Sequence, residues 1–384
     1  AGCSVRMIPS FPLLIKPVGA WCTMRCAYCF YADKGSLHPR PQGVMDAALL
    51  EELVRSYLAL PMARHTFVWQ GGEPTLAGLP FFRSALALQK RYASPGAVIE
   101  NCLQTNGILI TSEWAAFCRE ENILTGISLD GPAAAHDRFR VMADGSGSHA
   151  AVLRGLDLLR HAGAEVNVLS LVTTATVKNP EALFEYLCGL GVQHQQYIPC
   201  VELGAAGRAL PWTPTGKQWG HFLRGLYDAW AQRPVLDVSI RFFDSLLHRL
   251  LYDVPQLCHM GTDCRGYLVV ERDGSLYPCD FFVDQRYRLG RVGETPWEDV
   301  RDSAPYARFG SRKAKLPDAC RRCEFSSLCA GDCLKHRSPG NGKSWLCEGY
   351  KDFFRHTLPG FKRIARHLAA GKAPVPGSVA RSSS

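Results

Sequence analysis

Apolar and polar residues follow two alternating periods along the first half of the chain. Short β-rich runs are separated by segments in which apolar residues recur every three to four positions, the period of an amphipathic helix. Strands are predicted at residues 13–18, 66–69, 98–103, 123–129, 166–173 and 195–198. Helices are predicted between them at 45–60, 80–92, 112–121, 150–161 and 180–190. This alternation predicts an α/β fold with a parallel sheet, which right-handed crossovers curl toward a partial (β/α)6, TIM-like barrel.

The second half of the chain has a different character. A Gly- and Pro-bearing stretch at 203–214 indicates a boundary, and helices are predicted at 217–232 and 242–252. Asp273-Gly274 lies between two short β-rich runs, 266–270 and 276–277, and predicts a hairpin. A last helix is expected at about 345–368. The predicted organisation is a barrel at 11–202, a linker with bridging helices at 203–257, a cysteine-rich domain at 258–368 and a disordered tail at 369–384.

Composition narrows the class of protein. Of the 384 residues, 47% are hydrophobic and 21% are charged, which is typical of a globular protein. No apolar stretch approaches the length of a membrane span and no secretory signal is evident, so we expect a cytoplasmic protein without a membrane partner. The formal charge of +9 is carried by Lys and Arg without a long basic run, which favours a solvated surface over a nucleic-acid partner. Sixteen cysteines are many for a reduced compartment unless most of them bind metal.

Three cysteines follow the first predicted strand, in the pattern Cys22-x3-Cys26-x2-Cys29. Three thiolates on one loop can hold three irons of a four-iron cluster and leave the fourth iron open to a substrate or cofactor. An odd trio is a poor disulfide framework, and a structural zinc site usually presents two close pairs. Because the trio follows a strand, it falls at the carboxyl end of the predicted sheet, where such folds place their chemistry.

A second cysteine system lies in the last third of the chain. Its eight members suffice for two sites of four thiolates each: Cys258, Cys264, Cys279, Cys320, Cys323, Cys329, Cys333 and Cys347. Two zinc ribbons are the alternative, since tetrathiolate sites serve both zinc and iron–sulfur clusters. The open three-cysteine loop favours clusters. No ligand role is predicted for Cys3, Cys102, Cys118, Cys188 and Cys200, of which those inside predicted strands or helices are expected to be small buried side chains.

These motifs resemble those of a known family. The Cys22 loop, with Phe30 and Tyr31 after it, resembles the signature of radical S-adenosylmethionine (SAM) enzymes, and the later cysteines resemble the SPASM domain with its two auxiliary 4Fe-4S clusters. Within that group the chain resembles the anaerobic sulfatase-maturating enzymes over residues 11–365. The likeness is carried by the segments 70–76 (QGGEPTL), 103–107 (LQTNG), 128–132 (SLDGP) and 277–281 (YPCDF).

The resemblance implies SAM and three [4Fe-4S] clusters as cofactors. Cys22, Cys26 and Cys29 would hold the SAM cluster, Cys258, Cys264, Cys279 and Cys333 the nearer auxiliary cluster, and Cys320, Cys323, Cys329 and Cys347 the outer one. The implied SAM contacts are Tyr28, Gly71, Gly72, Glu73, Ser128, Arg140 and Gln195. Here Gly71 and Gly72 would allow a close backbone approach to the methionine moiety, and Glu73 would accept from its ammonium. Arg140 would pair with a carboxylate, with the nearby Arg138 as the alternative for this role.

The implied reaction oxidises a cysteine or serine in a sulfatase polypeptide to Cα-formylglycine through a 5'-deoxyadenosyl radical. Asp280 matches the family's catalytic base, and the auxiliary clusters would accept the substrate electron. The implied partners are an unfolded or nascent sulfatase with a Cys/Ser-x-Pro-x-Arg type motif and a low-potential electron donor such as flavodoxin or ferredoxin. The alternative is a SPASM-type maturase that forms thioether or carbon–carbon crosslinks in a ribosomal peptide. Such enzymes often carry an N-terminal peptide-binding domain, and the short segment before the first predicted strand favours the sulfatase hypothesis.

Overall fold

The computed structural model describes residues 7–37, 42–204, 207–234 and 237–371. The chain forms two compact units. Unit 1 comprises Ala1–Ile127, Val141–Val166 and Cys264–Gly310, and unit 2 comprises Ser128–Arg140, Asn167–Asp263 and Ser311–Ser384. Both units therefore combine segments of the predicted barrel with parts of the cysteine-rich region, and the linear domain boundaries stay a prediction. The predicted tail beyond residue 371 lies outside the described residues.

Unit 1 is built on a mixed sheet. Its strands are β1 (Leu13–Ile15), β2 (Arg64–Trp69), β3 (Val98–Thr105), β4 (Leu124–Ser128, whose last residue belongs to unit 2), β8 (Leu268–Val270), β9 (Ser275–Tyr277) and β10 (Gly290–Arg291). They are ordered β10-β9-β8-β1-β2-β3-β4. Strands β1 to β4 run parallel, as the alternation of strands and helices predicted. The helices of this unit are α1 (Ala47–Leu58), α2 (Gly78–Tyr92), α3 (Ser112–Glu120), α5 (His149–Ala162), α9 (Trp297–Asp302) and α10 (Ala304–Ser311, which ends in unit 2).

The predicted hairpin is present but lies in an unexpected place. β8 and β9 are antiparallel and are joined by a turn in which Gly274 has φ 85°, a left-handed conformation that suits glycine. β8 also pairs in parallel with β1, with Leu13 opposite Leu268 and Ile15 opposite Val270. The hairpin of the cysteine-rich region is therefore part of the same sheet as the first barrel strands. The turn between β8 and β9 therefore lies at the carboxyl end of β1, and Asp280, which follows β9, lies within reach of the Lys16 side chain.

Unit 2 has its own parallel strands, ordered β5-β6-β7, and a helical layer. The strands are β5 (Val166–Val172), β6 (His194–Pro199) and β7 (Ser239–Ile240). The helices are α4 (Ala133–His136), α6 (Pro180–Gly189), α7 (Gly216–Trp230), α8 (Arg241–Tyr252), α11 (Asp318–Arg321), α12 (Ser326–Cys329) and α13 (Cys347–Ala369).

Two glycines let α7 and α13 cross at close range. A Cβ added at Gly220 would lie 2.7 Å from Gly349 Cα, and one added at Gly349 would lie 2.6 Å from Gly220 N. Aromatic side chains fill the space along the crossing, and Trp219, Phe222 and Phe353 are at most 2% exposed. This contact fixes α13, which begins at Cys347, on the rest of unit 2. Within the described part of the chain, no helix has both the length and the apolar character needed to cross a bilayer.

Candidate active site

The predicted cluster loop follows β1 in unit 1. Its backbone folds on itself, because Cys29 N donates to Cys26 O at 3.1 Å. The Asn106 amide, at the end of β3, lies 3.8 Å from Cys22 Sγ and donates to Thr23 Oγ1 at 3.0 Å. Burial raises the pKa of the Cys22 thiol to about 12, and the neighbouring Glu73, Cys26 and Cys29 add to this effect. A thiolate at this position therefore needs a compensating cation, which an iron–sulfur cluster would supply.

The glycine pair after β2 packs directly on the segment that leads into this loop. A Cβ at Gly72 would lie 2.0 Å from Trp21 O and 2.6 Å from Ala20 C. Gly72 N donates to Gly19 O at 2.7 Å, and Glu73 N donates to Trp21 O at 2.8 Å. The structure thus gives a second reason for glycine here, besides the expected approach to a methionine moiety. The pair allows two backbone segments to touch just before Cys22.

Replacing Gly72 with alanine is expected to displace the cluster loop. The clash is with backbone atoms, which cannot rotate away, so we expect the free energy of unfolding to fall by about 3 kcal/mol or more. Bound iron should fall in parallel. Gly189→Ala, in α6, is the matched control because no atom lies within 4 Å of the added Cβ. Thermal unfolding and iron content measure both effects, and a Gly72→Ala protein that equals the control in both would contradict the packing argument.

Glu73 joins the end of β2 to the end of β3. The residue is fully buried, and its Oε1 accepts from Thr75 N at 3.1 Å, Thr75 Oγ1 at 2.6 Å and Thr105 Oγ1 at 2.6 Å. Its Oε2 accepts from Asn106 N at 2.7 Å. Burial raises the pKa of Glu73, although these hydrogen bonds oppose the shift. The carboxylate therefore has a clear structural task, the fixing of the residues around Cys22, in addition to the expected contact with an ammonium.

The other expected SAM contacts are distributed over both units. Tyr28 is buried in unit 1. Ser128, Arg140 and Gln195 belong to unit 2.

Two of these side chains already have protein partners. Arg140 Nε lies 3.0 Å from Asp130 Oδ2, with both side chains at most 10% exposed. The Gln195 amide donates to Val192 O at 3.0 Å and accepts from Tyr197 OH at 2.6 Å. Arg140 is therefore held by a carboxylate of its own chain, and both polar atoms of the Gln195 side chain are hydrogen-bonded within the protein.

Asp280 follows Cys279 directly and lies in unit 1. Its Oδ1 is 2.5 Å from Lys16 Nζ, and its Oδ2 accepts from Gln70 Nε2 at 2.9 Å. Lys16 follows β1 and Gln70 follows β2, so the carboxylate lies at the carboxyl ends of two neighbouring strands. The side chain of Asp280 is 13% exposed. The sequence motifs identified Asp280 but did not identify Lys16, which the pattern placed inside a longer first strand.

A tyrosine hydroxyl connects Asp280 with its neighbouring cysteine. Tyr267 OH donates to Cys279 Sγ at 3.3 Å and accepts from Asp280 N at 3.4 Å.

The four cysteines expected to hold the nearer auxiliary cluster are divided between the units. Cys264 and Cys279 belong to unit 1, whereas Cys258 and Cys333 belong to unit 2.

The four cysteines expected to hold the outer cluster line one cleft in unit 2. Cys320, Cys323, Cys329 and Cys347 surround it, and its walls include Phe325, Phe354, Tyr350, Lys343 and Lys351. Burial raises the pKa of Cys347, and the two lysines oppose the shift. Aromatic walls and two cations suit an anionic group that is shielded from water. The cleft thus offers four sulfur ligands, and its surroundings suit the negative charge of an iron–sulfur cluster with its four thiolates.

A buried lysine fixes the loops that carry the cysteines of unit 2. Lys313 is 1% exposed, and its Nζ donates to the carbonyl oxygens of His259 at 3.0 Å, Ala330 at 3.2 Å and Asp332 at 2.6 Å. Although burial works against the charged form, His336 holds the pKa of the Asp332 carboxyl well below its ordinary value. No sequence pattern predicts this network, because Lys313 lies in a short basic run that resembles a solvated surface.

The thiols do not form a compact shell for a single ion. Among the residues described, no three His, Cys, Asp or Glu side chains are close enough together to hold one metal ion. The assignment of eleven cysteines to clusters therefore remains a prediction. Of the cysteines without a predicted ligand role, Cys118 is buried as expected, whereas Cys102 and Cys188 are only half-buried. Cys200, which lies outside the predicted strands and helices, is also buried. Cys3 lies outside the described residues.

Comparison with known proteins places the chain in context. The pattern of the Radical SAM superfamily matches residues 17–187, and that of the SPASM iron-sulfur cluster-binding domain matches residues 258–324. A serine-type anaerobic sulfatase-maturating enzyme from Bacteroides thetaiotaomicron is 34% identical over 94% of this chain and 93% of its own length. A cysteine-type anaerobic sulfatase-maturating enzyme from Clostridium perfringens is 32% identical over 94% of this chain and 100% of its own length.

Solved structures give the same picture. The structure of native anSMEcpe with bound AdoMet and the Cp18Cys peptide has a TM-score of 0.87 and 33% identity, and the match covers 94% of this chain and all of that chain. SuiB from Streptococcus suis, bound to the precursor peptide SuiA, has a TM-score of 0.62 at 16% identity, over 88% of this chain and 76% of that chain. The second likeness shows the fold alone. The predicted fold class, an α/β partial barrel with a cysteine-rich C-terminal domain, is confirmed.

Proposed function

Because this chain belongs to the anaerobic sulfatase-maturating enzymes, which are radical SAM enzymes with a SPASM domain, we propose that it oxidises a cysteine or serine of a sulfatase polypeptide to Cα-formylglycine. The family resemblance predicted from the motifs is confirmed. The proposal is supported most strongly by relatives at 32% and 34% identity whose likeness extends over 94% of the chain. Serine-type and cysteine-type relatives match at nearly equal identity, so the proposal includes both target residues.

The cofactors are SAM and iron–sulfur clusters, and we propose three [4Fe-4S] clusters with the ligand sets given above. The described residues fit this assignment in two respects. The raised pKa of Cys22 requires a compensating cation, and four cysteines line the cleft in unit 2. When bound, SAM and its cluster supply the radical that removes a hydrogen atom from the substrate Cβ. Tyr28, Gly71, Gly72, Glu73, Ser128, Arg140 and Gln195 form the proposed SAM-binding set.

Asp280 is the proposed acceptor of the proton that leaves the substrate thiol or hydroxyl. Its carboxylate is mostly buried, with one oxygen in an ion pair with Lys16 and the other accepting from the Gln70 amide, which is the arrangement expected of a base with a fixed direction. The second substrate electron is proposed to enter the auxiliary cluster bound in part by Cys279, the residue before Asp280. Proton and electron thus leave the substrate toward adjacent residues of one loop.

The overall change balances for both target residues. Serine loses two hydrogens and becomes the aldehyde. Cysteine loses two hydrogens to give a thioaldehyde, which water converts to the aldehyde with release of hydrogen sulfide. We propose a flavodoxin or ferredoxin as the electron donor and a Cys/Ser-x-Pro-x-Arg type segment as the recognised motif.

The test uses the reconstituted enzyme, SAM, a strong reductant and peptides with Cys-x-Pro-x-Arg or Ser-x-Pro-x-Arg. We expect mass spectrometry to find the loss of two hydrogens from the serine peptide, or that loss with exchange of sulfur for oxygen in the cysteine peptide. A matched peptide with alanine at the target position is the control. Deoxyadenosine formation with neither peptide modified would contradict the proposal and favour a crosslinking maturase.

A further inference from the structure

Lys16 is a buried cation at the carboxyl end of β1. It is 1% exposed, whereas lysine is almost never fully buried unless it is paired. Its backbone N donates to Val270 O at 2.9 Å, which continues the pairing of β1 with β8. The position of the side chain is therefore set by the sheet and not by a loop.

The ammonium of Lys16 is directed at the proposed base. Its Nζ is 2.5 Å from Asp280 Oδ1, and it forms no other ion pair with a described carboxylate. This ion pair is the contact that compensates Oδ1, which has no hydrogen-bond partner in the described structure. The second oxygen accepts from Gln70. Lys16 follows β1 and Gln70 follows β2, so the two carboxylate oxygens contact residues at the ends of two different strands. These two contacts together fix the orientation of the carboxylate.

The surroundings keep Lys16 in place from two other sides. Its Nζ lies 4.5 Å from the centre of the Tyr31 ring, a cation–π distance. Tyr31 in turn donates its hydroxyl to Glu271, and both residues are at most 3% exposed. A Cβ at Gly71 would lie 3.2 Å from Lys16 Cδ, so the glycine leaves just enough room for the lysine stem. A cation with this much support is typical of a preorganised site.

We propose that Lys16 is a positioning residue for the reaction: it orients the Asp280 carboxylate and balances its charge beside the cysteine that precedes it. The inference rests on the proposed function, because it takes Asp280 as the base. A buried ion pair often contributes little net stability compared with apolar side chains. The pair is therefore better explained by its place in the site than by stability.

The first test replaces Lys16 with methionine, which keeps the length of the stem and removes the charge. When a catalytic group is displaced from its reacting position, the reaction rate falls by about 10- to 100-fold. We expect Lys16→Met to lower formylglycine formed per deoxyadenosine by about this factor, while SAM cleavage without peptide is unchanged. Lys90→Met is the matched control, since it removes the same charge from a side chain that is 70% exposed in the same unit. Equal ratios of formylglycine to deoxyadenosine in the two variants would overturn the inference while leaving the wild-type activity, and hence the proposed function, intact.

A double variant separates positioning from general damage. If Lys16 acts only through Asp280, Lys16→Met should add no further loss of formylglycine to Asp280→Asn. The midpoint temperature of thermal unfolding provides a second measurement, which does not require the enzyme to turn over. Asp280→Asn leaves the ammonium unpaired and should lower the midpoint, and adding Lys16→Met should recover part of that loss. Losses of formylglycine that multiply in the double variant, or midpoint shifts that add, would show that the two residues act independently and would refute the pairing. The midpoint test does not depend on the proposed function, because it can be made even if the wild-type enzyme forms no formylglycine.

Discussion

Replacing Asp280 with asparagine is expected to leave SAM cleavage intact and to lower formylglycine formation by about 100-fold or more, the usual contribution of a general base. The amide keeps the size of the side chain but cannot take up the substrate proton. The measurement is deoxyadenosine and formylglycine from the same reaction, with the serine and cysteine peptides in parallel.

Asp284→Asn is the matched control for this variant. Asp284 lies four residues further along the same segment, but it is paired with Arg286 and its side chain is 38% exposed. We expect this variant to equal the wild type in both products. A normal yield of formylglycine from Asp280→Asn would remove Asp280 from the mechanism.

Replacing Cys22, Cys26 and Cys29 together with alanine is expected to abolish SAM cleavage. The same change should lower bound iron from about twelve to about eight atoms per chain, because only one of three four-iron clusters loses its ligands. Iron and sulfide quantitation on anaerobically purified protein measures this directly. A wild-type count of about four irons, with zinc present, would instead assign the eight later cysteines to zinc.

Cys102→Ala is the control for nonspecific loss of iron. Cys102 lies in β3, is half-buried and belongs to none of the three predicted ligand sets. It should keep the full iron content and normal SAM cleavage. If the triple variant still produced deoxyadenosine at the wild-type rate, the loop would not be the site of SAM cleavage.

The regular elements could be predicted because their periods are clear. All six predicted barrel strands and the helices between them are present, with ends that differ by a few residues. The first strand is shorter than expected, Leu13–Ile15 in place of 13–18. The small elements β7, β10, α9 and α10 were not predicted, because two to eight residues carry too little periodicity to distinguish them from loops.

The arrangement of the site was harder to predict than its residues. The motifs identify Cys22 and Asp280, but the three residues of β8 are all fully buried and apolar, and such a run does not specify its neighbour. Lys16 carries no motif at all, since it meets Asp280 only because the β8–β9 hairpin, which Asp280 follows, joins the sheet next to β1. Long-range strand pairing is thus the information that single-sequence reasoning lacked.

The pairing of β8 with β1 has a consequence for attempts to divide this protein. β1 is covered by β2 on one side and by β8 on the other. A fragment cut before Cys258 would turn Leu13–Ile15 into an exposed edge strand, with backbone groups free to recruit another chain. The barrel expressed without the cysteine-rich segment should therefore aggregate. In the full chain, β8 prevents this because it pairs with the backbone groups of β1 that would otherwise be exposed.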